Sequence, residues 1–394
     1  MTNCKTFFGQ DDVFFQEKSC INTATEIASQ PLIWRELAKL LQEKKQYICD
    51  FMEGLGELSK LRIILTGAGS SAFIGEAVAS FAANSSGVKC EAIHTTDIVS
   101  APNTVLFDDI PTLLISFARS GNSPESVGAV EYARKKIKTL HEAAIICDGS
   151  SKLSNATKEN KSSFILLMPE GSNDKGFAMT SSVSCMMLAA FALLNYKKID
   201  EIIKDINSLS ESLANNSRNI TDAALKLAKK SFDRAVYLGS GGFKGITHEA
   251  SLKMMELTNG IVNSSFDSAT GFRHGPKTVI KDSTLSLHFI SNDPFTAKYD
   301  IDLLLELFNE KNKNMVAAIC NEKNDALKAD DIVILGIGSS GFAKDICNGL
   351  MGLVFFQTFA MYKSLELGIT TDNPSPGGQV NRVVKGVTVY PYAE

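Results

Sequence analysis

The chain has 394 residues, long enough for two domains of ordinary size. Hydrophobic residues make up 44% and charged residues 21%, and the formal charge of −4 gives no pull towards nucleic acid or acidic membranes. No apolar run reaches the roughly 20 residues that span a bilayer, and MTNCKTFFGQDDVFF lacks the charged start and apolar core of a leader, so a cytoplasmic protein is expected.

Residues 1–60 read mainly as helix, with Trp34, Leu37, Leu40 and Leu41 on one stripe. LRIILTGAGSS (61–71) is an apolar strand closed by glycines, and AFIGEAVASFAANSSG is the helix after it. CEAIHTTDIV (90–99) reads as a second strand. PTLLISFARSGNSPES (111–126) is a third, running into a Ser- and Gly-rich turn before the helix SVGAVEYARKKIK. AAIICDGSS (143–151) and SFILLMP (163–169) repeat the scheme. Continuous apolar strands alternating with helices predict a parallel sheet covered on both faces.

A charged helical stretch, 198–231, links to a second start. RAVYLGSGGFKG (234–245) echoes LRIILTGAGSSAFIG (61–75), and LSLHFIS (285–291), MVAAIC (315–320) and DIVILGIG (331–338) supply more strands. The pattern predicts an internally duplicated α/β protein of two tandem units, each a mainly parallel sheet in a three-layer αβα stack. LMGLVFFQTFAMYKSLELG (350–368) is apolar nearly all round, but Gln357 and other polar residues make it a core or interface helix rather than a membrane span. The tail NPSPGGQVNRVVKGVTVYP begins as loop and is expected to end as strand. Eight scattered cysteines with no CxxC read as reduced, core-filling thiols, not a zinc site.

TGAGSSA matches a loose dinucleotide fingerprint, with Glu91 placed to reach a ribose. The third strand argues instead for phosphate. Its turn crowds Ser120, Asn122, Ser123 and Ser126 at a helix start, where hydroxyls and free N–H groups suit a phosphate monoester. Ser70 and Ser71 come from the first turn, and such turns converge at the carboxyl edge of an open parallel sheet. Helix capping alone is the competing explanation. No GxxxxGK[ST] occurs, which excludes a P-loop nucleotidase.

In GITHEASLKMMELTNG (245–260), Ile246, Ala250, Met254 and Leu257 form an apolar stripe. Glu249, Lys253 and Glu256 form a separate polar one, which alone would pass for a solvated face with a Glu–Lys pair worth about 0.3–0.5 kcal/mol. The polar loop VNSSFDSATGFRHGPKTVI that follows carries His274 before Gly275 and Pro276. An imidazole in such a loop can exchange protons near neutral pH.

HEASLKMMELTNG followed by GFRHGPKTVI resembles the isomerase half of glucosamine-6-phosphate synthase and its sugar isomerase (SIS) relatives. Within them the chain is most similar to the AgaS-type branch of tagatose-6-phosphate ketose/aldose isomerases and galactosamine-6-phosphate deaminases. The resemblance covers residues 45–394 and implies two tandem SIS domains, at 45–200 and 215–370, after a helical segment (1–44) and before a tail (371–394) that completes the active site. The synthase's glutamine-hydrolysing domain and its N-terminal Cys nucleophile have no counterpart here.

By the same resemblance, Glu256 moves a proton between C1 and C2, and His274 assists ring opening, commonly from the neighbouring subunit. Glu249 and Lys253 support them, and Lys385 is the tail lysine that enters the site. Ser120 and Ser123 bind phosphate, with Ser70, Ser71 and Asn122 as further candidates. Arg119 stands where the synthase has a glutamine. The expected reaction needs no cofactor or metal. It converts galactosamine 6-phosphate to tagatose 6-phosphate and ammonia through an enolamine, in a homodimer or higher homo-oligomer. The alternatives are a tagatose-6-phosphate isomerase, a glucosamine-6-phosphate deaminase, a non-catalytic sugar-phosphate sensor and, outside the family, an NAD-dependent oxidoreductase.

Overall fold

The apolar runs of the sequence become parallel strands in the computed structural model, which describes residues 4–310, 314–336, 341–384 and 386–392. Among the described residues one sheet holds β1 (Arg62–Thr66), β2 (Glu91–Ala92), β3 (Thr112–Ala118), β4 (Leu140–Ile146) and β5 (Phe164–Leu167), in the order β2-β1-β3-β4-β5. The other holds β6 (Arg234–Gly239), β7 (Asn263–Asp267), β8 (Thr284–Phe289), β9 (Met315–Cys320) and β10 (Asp331–Ile334), in the order β10-β9-β8-β6-β7. Read from its far end, the second sheet winds as the first does, and every pairing is parallel. The duplication extends to the first turns. Gly69 (φ 56°, ψ −131°) and Gly241 (φ 60°, ψ −131°) precede the helices Ser70–Ser86 and Gly242–Leu257 in the same positive-φ conformation, which glycine adopts without steric cost. The two halves are tandem α/β units of the same winding.

Every residue of β3 and of β8 is buried, because helices cover both faces of each sheet; this is why these strands read as unbroken apolar runs. One continuous core joins the inner faces of both sheets to the helices between them, and a smaller apolar cluster lies under each outer layer. The helix Lys344–Glu366 is buried from Ile346 to Ser364 and packs on the helices Ile199–Ala228 and Gly242–Leu257, so its all-round apolarity is that of a central core helix. Among the described residues no helix is long and apolar enough to cross a membrane. A single helix, Ile21–Gly54, runs through the boundary expected at residues 44–45. Trp34 on it donates from Nε1 to Ser184 Oγ at 3.0 Å. All eight cysteines are unpaired and six are buried.

Three local expectations fail. CEAIHTTDIV gives only the two-residue β2, and the chain then turns into a helix at Thr95–Ser100. The polar segment 263–267, read as loop, is strand β7 at the sheet edge beside β6. Ladder hydrogen bonds form it despite the lack of an apolar pattern. The tail contains no strand among its described residues.

The halves meet where the helices Ser70–Ser86 and Gly242–Leu257 cross. A Cβ at Gly245 would lie 2.4 Å from the backbone nitrogen of Ala77, so only glycine allows this approach. Gly245→Ala is expected to lower stability by about 1–3 kcal/mol, read as a fall in urea midpoint. At the same crossing Glu76 bridges two imidazoles, with Oε1 3.0 Å from His94 Nε2 and Oε2 2.7 Å from His248 Nδ1. His248 is stacked between Phe73 and Phe266, at 3.5 and 3.6 Å between ring centroids.

Burial alone would raise Glu76, but the two histidine contacts outweigh it and hold the carboxyl down at about 2. The Glu76 hydrogen bond raises His94 above 6.5, against burial. A depressed acid stabilises the fold above its unfolded value of 4.5 and stops doing so as pH falls towards 2. A raised histidine contributes fully below 6.5 and fades as pH climbs through its folded value. The bridge is therefore strongest between those limits. Glu76→Gln should lose more thermal stability at pH 5.5 than at pH 8, as melting curves at both pH values would show.

Candidate active site

At the carboxyl edge of the first sheet, two turns face one another across a cavity of about 190 Å³. The turn after β1 contributes Ala68, Gly69, Ser70 and Ser71. The turn after β3 contributes Arg119, Ser120, Gly121 and Ser123, with Ser126 one helical turn on. Gly121 has φ 60°, and a Cβ there would meet Ser151 Oγ at 2.4 Å, so this turn has room only for glycine. Ser123 caps the helix Pro124–Lys136 without a side-chain capping bond. The Ser126 N–H returns to Ser123 O at 3.1 Å, and the serine hydroxyls beside this helix start suit an anion.

The third wall is the helix Gly242–Leu257, from the other half of the chain. Its polar stripe is not solvated. Glu249 is fully buried and Lys253 is 1% exposed. Lys253 Nζ donates to Ser70 Oγ at 3.0 Å, lies 3.3 Å from Glu249 Oε1, and forms a short ion pair with Glu256. One cation thus ties both carboxylates to the first Ser-rich turn. Burial pushes Glu249 up to about 7; Lys253 pulls it down and Glu256 pushes it up again. Burial also opposes the charge on Lys253, yet the two carboxylates outweigh it and raise its pKa. Glu256 alone of the three keeps its carboxylate partly exposed (23%), and it lines the cavity. A carboxylate base held beside a buried ammonium, facing an anion-binding turn, can move a proton on a bound phosphorylated substrate.

Ser70, Ser71, Ser120, Ser123 and Glu256 therefore meet at one cavity, with Lys253 and Glu249 immediately behind. Two other candidates do not join them, and a third lies outside the described residues. Asn122 turns away, its Oδ1 accepting from the Lys152 backbone N–H at 3.1 Å, where it caps the next helix. His274 is exposed, lies outside this cavity, and gives its backbone N–H to Gly271 O at 2.9 Å. Lys385 lies outside the described residues. Glu91 is paired with Arg62 at 2.7 Å and does not line this cavity.

Arg119 proves to be a structural clamp. It is 7% exposed and donates to the carbonyls of Gly176, Phe177, Ala178 and Arg382, at 3.4, 3.3, 3.2 and 3.0 Å. Arg382 returns from the tail to the carbonyls of Gly176 and Asp174. Asp174, 1% exposed, accepts from the backbone N–H groups of Thr180, Ser181 and Ser182 at 2.9–3.1 Å. Glu26 accepts from the N–H groups of Lys175 and Gly176, at 2.5 and 2.9 Å. Together these groups fix the 174–182 loop, which brings Phe177 and Met179 to the cavity, and hold the tail across its mouth. Sequence reasoning missed Glu26, Asp174 and Arg382. The run TSS before an apolar helix was the available sign that a carboxylate nearby would be its cap.

The SIS domain family matches residues 58–196. A curated relative, the D-galactosamine-6-phosphate deaminase AgaS of Escherichia coli, is 39% identical over 371 residues, 94% of this chain and 96% of the relative. Two crystal structures share the whole fold. The tagatose-6-phosphate ketose/aldose isomerase from Escherichia coli superposes with TM-score 0.86 at 36% identity, covering 95% of this chain and 97% of that one. A Clostridium novyi protein, provisionally named a tagatose-6-phosphate ketose/aldose isomerase, superposes with TM-score 0.94 at 40% identity, covering 98% of this chain and 99% of that one.

Proposed function

The chain belongs to the AgaS-type branch of the SIS-domain proteins, and on that premise we propose that it deaminates and isomerises galactosamine 6-phosphate, giving tagatose 6-phosphate and ammonia. The observation that carries this reading is Glu256, whose carboxylate opens onto the cavity between the two Ser-rich turns. The phosphate docks on Ser70, Ser71, Ser120 and Ser123, at the start of the helix Pro124–Lys136. Glu256 takes the proton from C2 of the open-chain sugar as general base. Charge passes to O1, which is protonated to an enolamine, and returning the proton to C1 leaves a ketimine at C2. Water adds to C2, ammonia leaves, and the 2-ketose remains. Lys253 holds Glu256 in place and keeps the pocket from accumulating unbalanced negative charge. Lys385, by the family resemblance, serves O1.

His274 serves ring opening in a neighbouring chain's cavity, a reading supported by its exposure and its distance from the cavity of its own chain. The working form is then a homodimer or higher homo-oligomer, in the cytoplasm. A second reading, simple aldose–ketose isomerisation of tagatose 6-phosphate, uses the same groups when C2 carries a hydroxyl. It is favoured by the similar structures from Clostridium novyi and Escherichia coli, both named as tagatose-6-phosphate ketose/aldose isomerases. A sensor has no use for a buried Lys253 held between two carboxylates.

Incubating the purified protein with galactosamine 6-phosphate, without added cofactor, should release ammonia and ketose in equal amounts. Glucosamine 6-phosphate run in parallel reads the sugar preference. Ketose formation from the corresponding aldose phosphate, with no ammonia from either amino sugar, would replace the deaminase by the isomerase.

A further inference from the structure

His274 sits on an exposed turn that the chain holds at both shoulders. Upstream, the short helix Ala269–Phe272 starts at Ser268, whose hydroxyl accepts the Gly271 N–H at 3.1 Å. It sinks Phe272 into the apolar cluster that also holds Leu303, Leu304 and Leu307 of the helix Pro294–Asn309. Downstream, the 3-10 helix Pro276–Val279 leads to Ile280, buried in the same cluster. Between them Gly275 turns the chain at φ 116°, a conformation that favours glycine. Arg273 and Lys277 flank the imidazole, one residue before it and three after, and both reach Glu306 on the helix Pro294–Asn309. Arg273 gives Nε and Nη2 to Glu306 Oε2, each at 2.8 Å. Lys277 forms one short ion pair with Glu306 Oε1 and another with Glu310.

Global stability does not account for this arrangement. The side chains of Glu306, Arg273 and Lys277 are 36%, 32% and 26% exposed, and ion pairs this open to solvent add little to folding. A carboxylate that takes both cations flanking one residue acts locally instead, by removing freedom from the turn between them. Lys277 first, and then Arg273, hold the Glu306 carboxyl below its ordinary 4.5 against burial. It therefore stays charged wherever the imidazole can titrate.

We propose that Glu306 is a positioning residue for His274: by gripping Arg273 and Lys277 it presets the turn that presents the imidazole to a neighbouring chain's cavity. This rests on the reading of His274 as the ring-opening group. Ring opening breaks the C1–O5 bond, releases the O1 proton and protonates O5, so the imidazole must come within hydrogen-bond reach of a sugar held by other residues. A turn already ordered loses less freedom on entering that cavity, and a displacement of about 1 Å there can cost roughly a hundredfold in rate. Glu306 touches no substrate and acts only through the imidazole.

Glu306→Ala and His274→Asn, singly and combined in the full chain, test this. Glu306→Ala should melt within about 2 °C of the unaltered chain. The amides of residues 271–280, followed by mass spectrometry, should exchange with deuterium oxide about tenfold faster. Within that turn the His274 N–H bonds to Gly271 O at 2.9 Å and the Thr278 N–H to Gly275 O at 3.0 Å, and both bonds open when the shoulders loosen. For galactosamine 6-phosphate, kcat should fall about tenfold with KM little changed. Added to His274→Asn, the same change should slow turnover no further. A turn that exchanges at the unaltered rate would overturn the proposal, and so would an equal further loss in the His274→Asn background. If Glu306→Ala does not melt cooperatively, Glu306→Gln, which keeps the side chain's length, takes its place with the same expectations. Should His274→Asn turn over this sugar as fast as the unaltered chain, or should neither turn it over, while loss of Glu306 still speeds exchange, the ring-opening reading falls and the anchoring of the turn by Glu306 stands.

Discussion

Glu256→Gln should fold normally, bind the phosphosugar about as well as the unaltered enzyme, and turn it over about a thousandfold more slowly, the usual span for loss of a positioned general base. The amide fills the same space and keeps an acceptor towards Lys253, but it cannot take a proton from C2. The loss should fall on kcat with KM little changed, because the phosphate contacts come from the two Ser-rich turns and not from this side chain. Exchange of the C2 proton with solvent, followed in deuterium oxide, should stop along with ammonia release. A variant that retained both at the unaltered rate would remove Glu256 from the chemistry.

Lys253→Met is expected to be the most damaging single change to stability. It leaves Glu249 fully buried and Glu256 without a cation, and breaking a buried pair from one side costs about 3–5 kcal/mol. The pH dependence carries a sign. Burial holds Glu249 at about 7, above its ordinary 4.5, so the fold favours its protonated form and loses stability as pH rises from 4.5 through 7. Lys253 now limits that loss. Without it the deficit should widen between pH 5 and pH 8 in urea melts. Adding Glu249→Gln to Lys253→Met should recover much of the stability, since replacing the pair is milder than breaking it, while activity stays absent. A single variant as stable at pH 8 as the unaltered chain would show that the pair is not the buried unit described here.

The two cases differ in how far each was legible beforehand. Glu256 and Lys253 could be placed on one helix stripe from spacing alone, and the stripe alone looked like a solvated face. The burial of Lys253 depends on the Ser70–Ser86 helix of the other half, which closes over it at a crossing that Gly245 and Ala77 permit. Asn122 shows the converse. Its residue type fits phosphate, but the helix starting at Lys152 offers a nearer donor, and the side chain goes there. Strand β7 was invisible because an edge strand can be held by ladder bonds with no apolar alternation.

By itself the amino-acid order determined the duplicated α/β winding, the anion-friendly turns and the shared stripe of Glu249, Lys253 and Glu256. These follow from periodicity and turn chemistry, which act between neighbours along the chain. Only the tertiary structure decided that Lys253 would be a buried bridge, that Arg119 would clamp the tail, and that Asp300 would tie the turns after β6 and β8 together. Those outcomes depend on which charges and donors meet across hundreds of residues once water is excluded, and desolvation then sets which groups must pair.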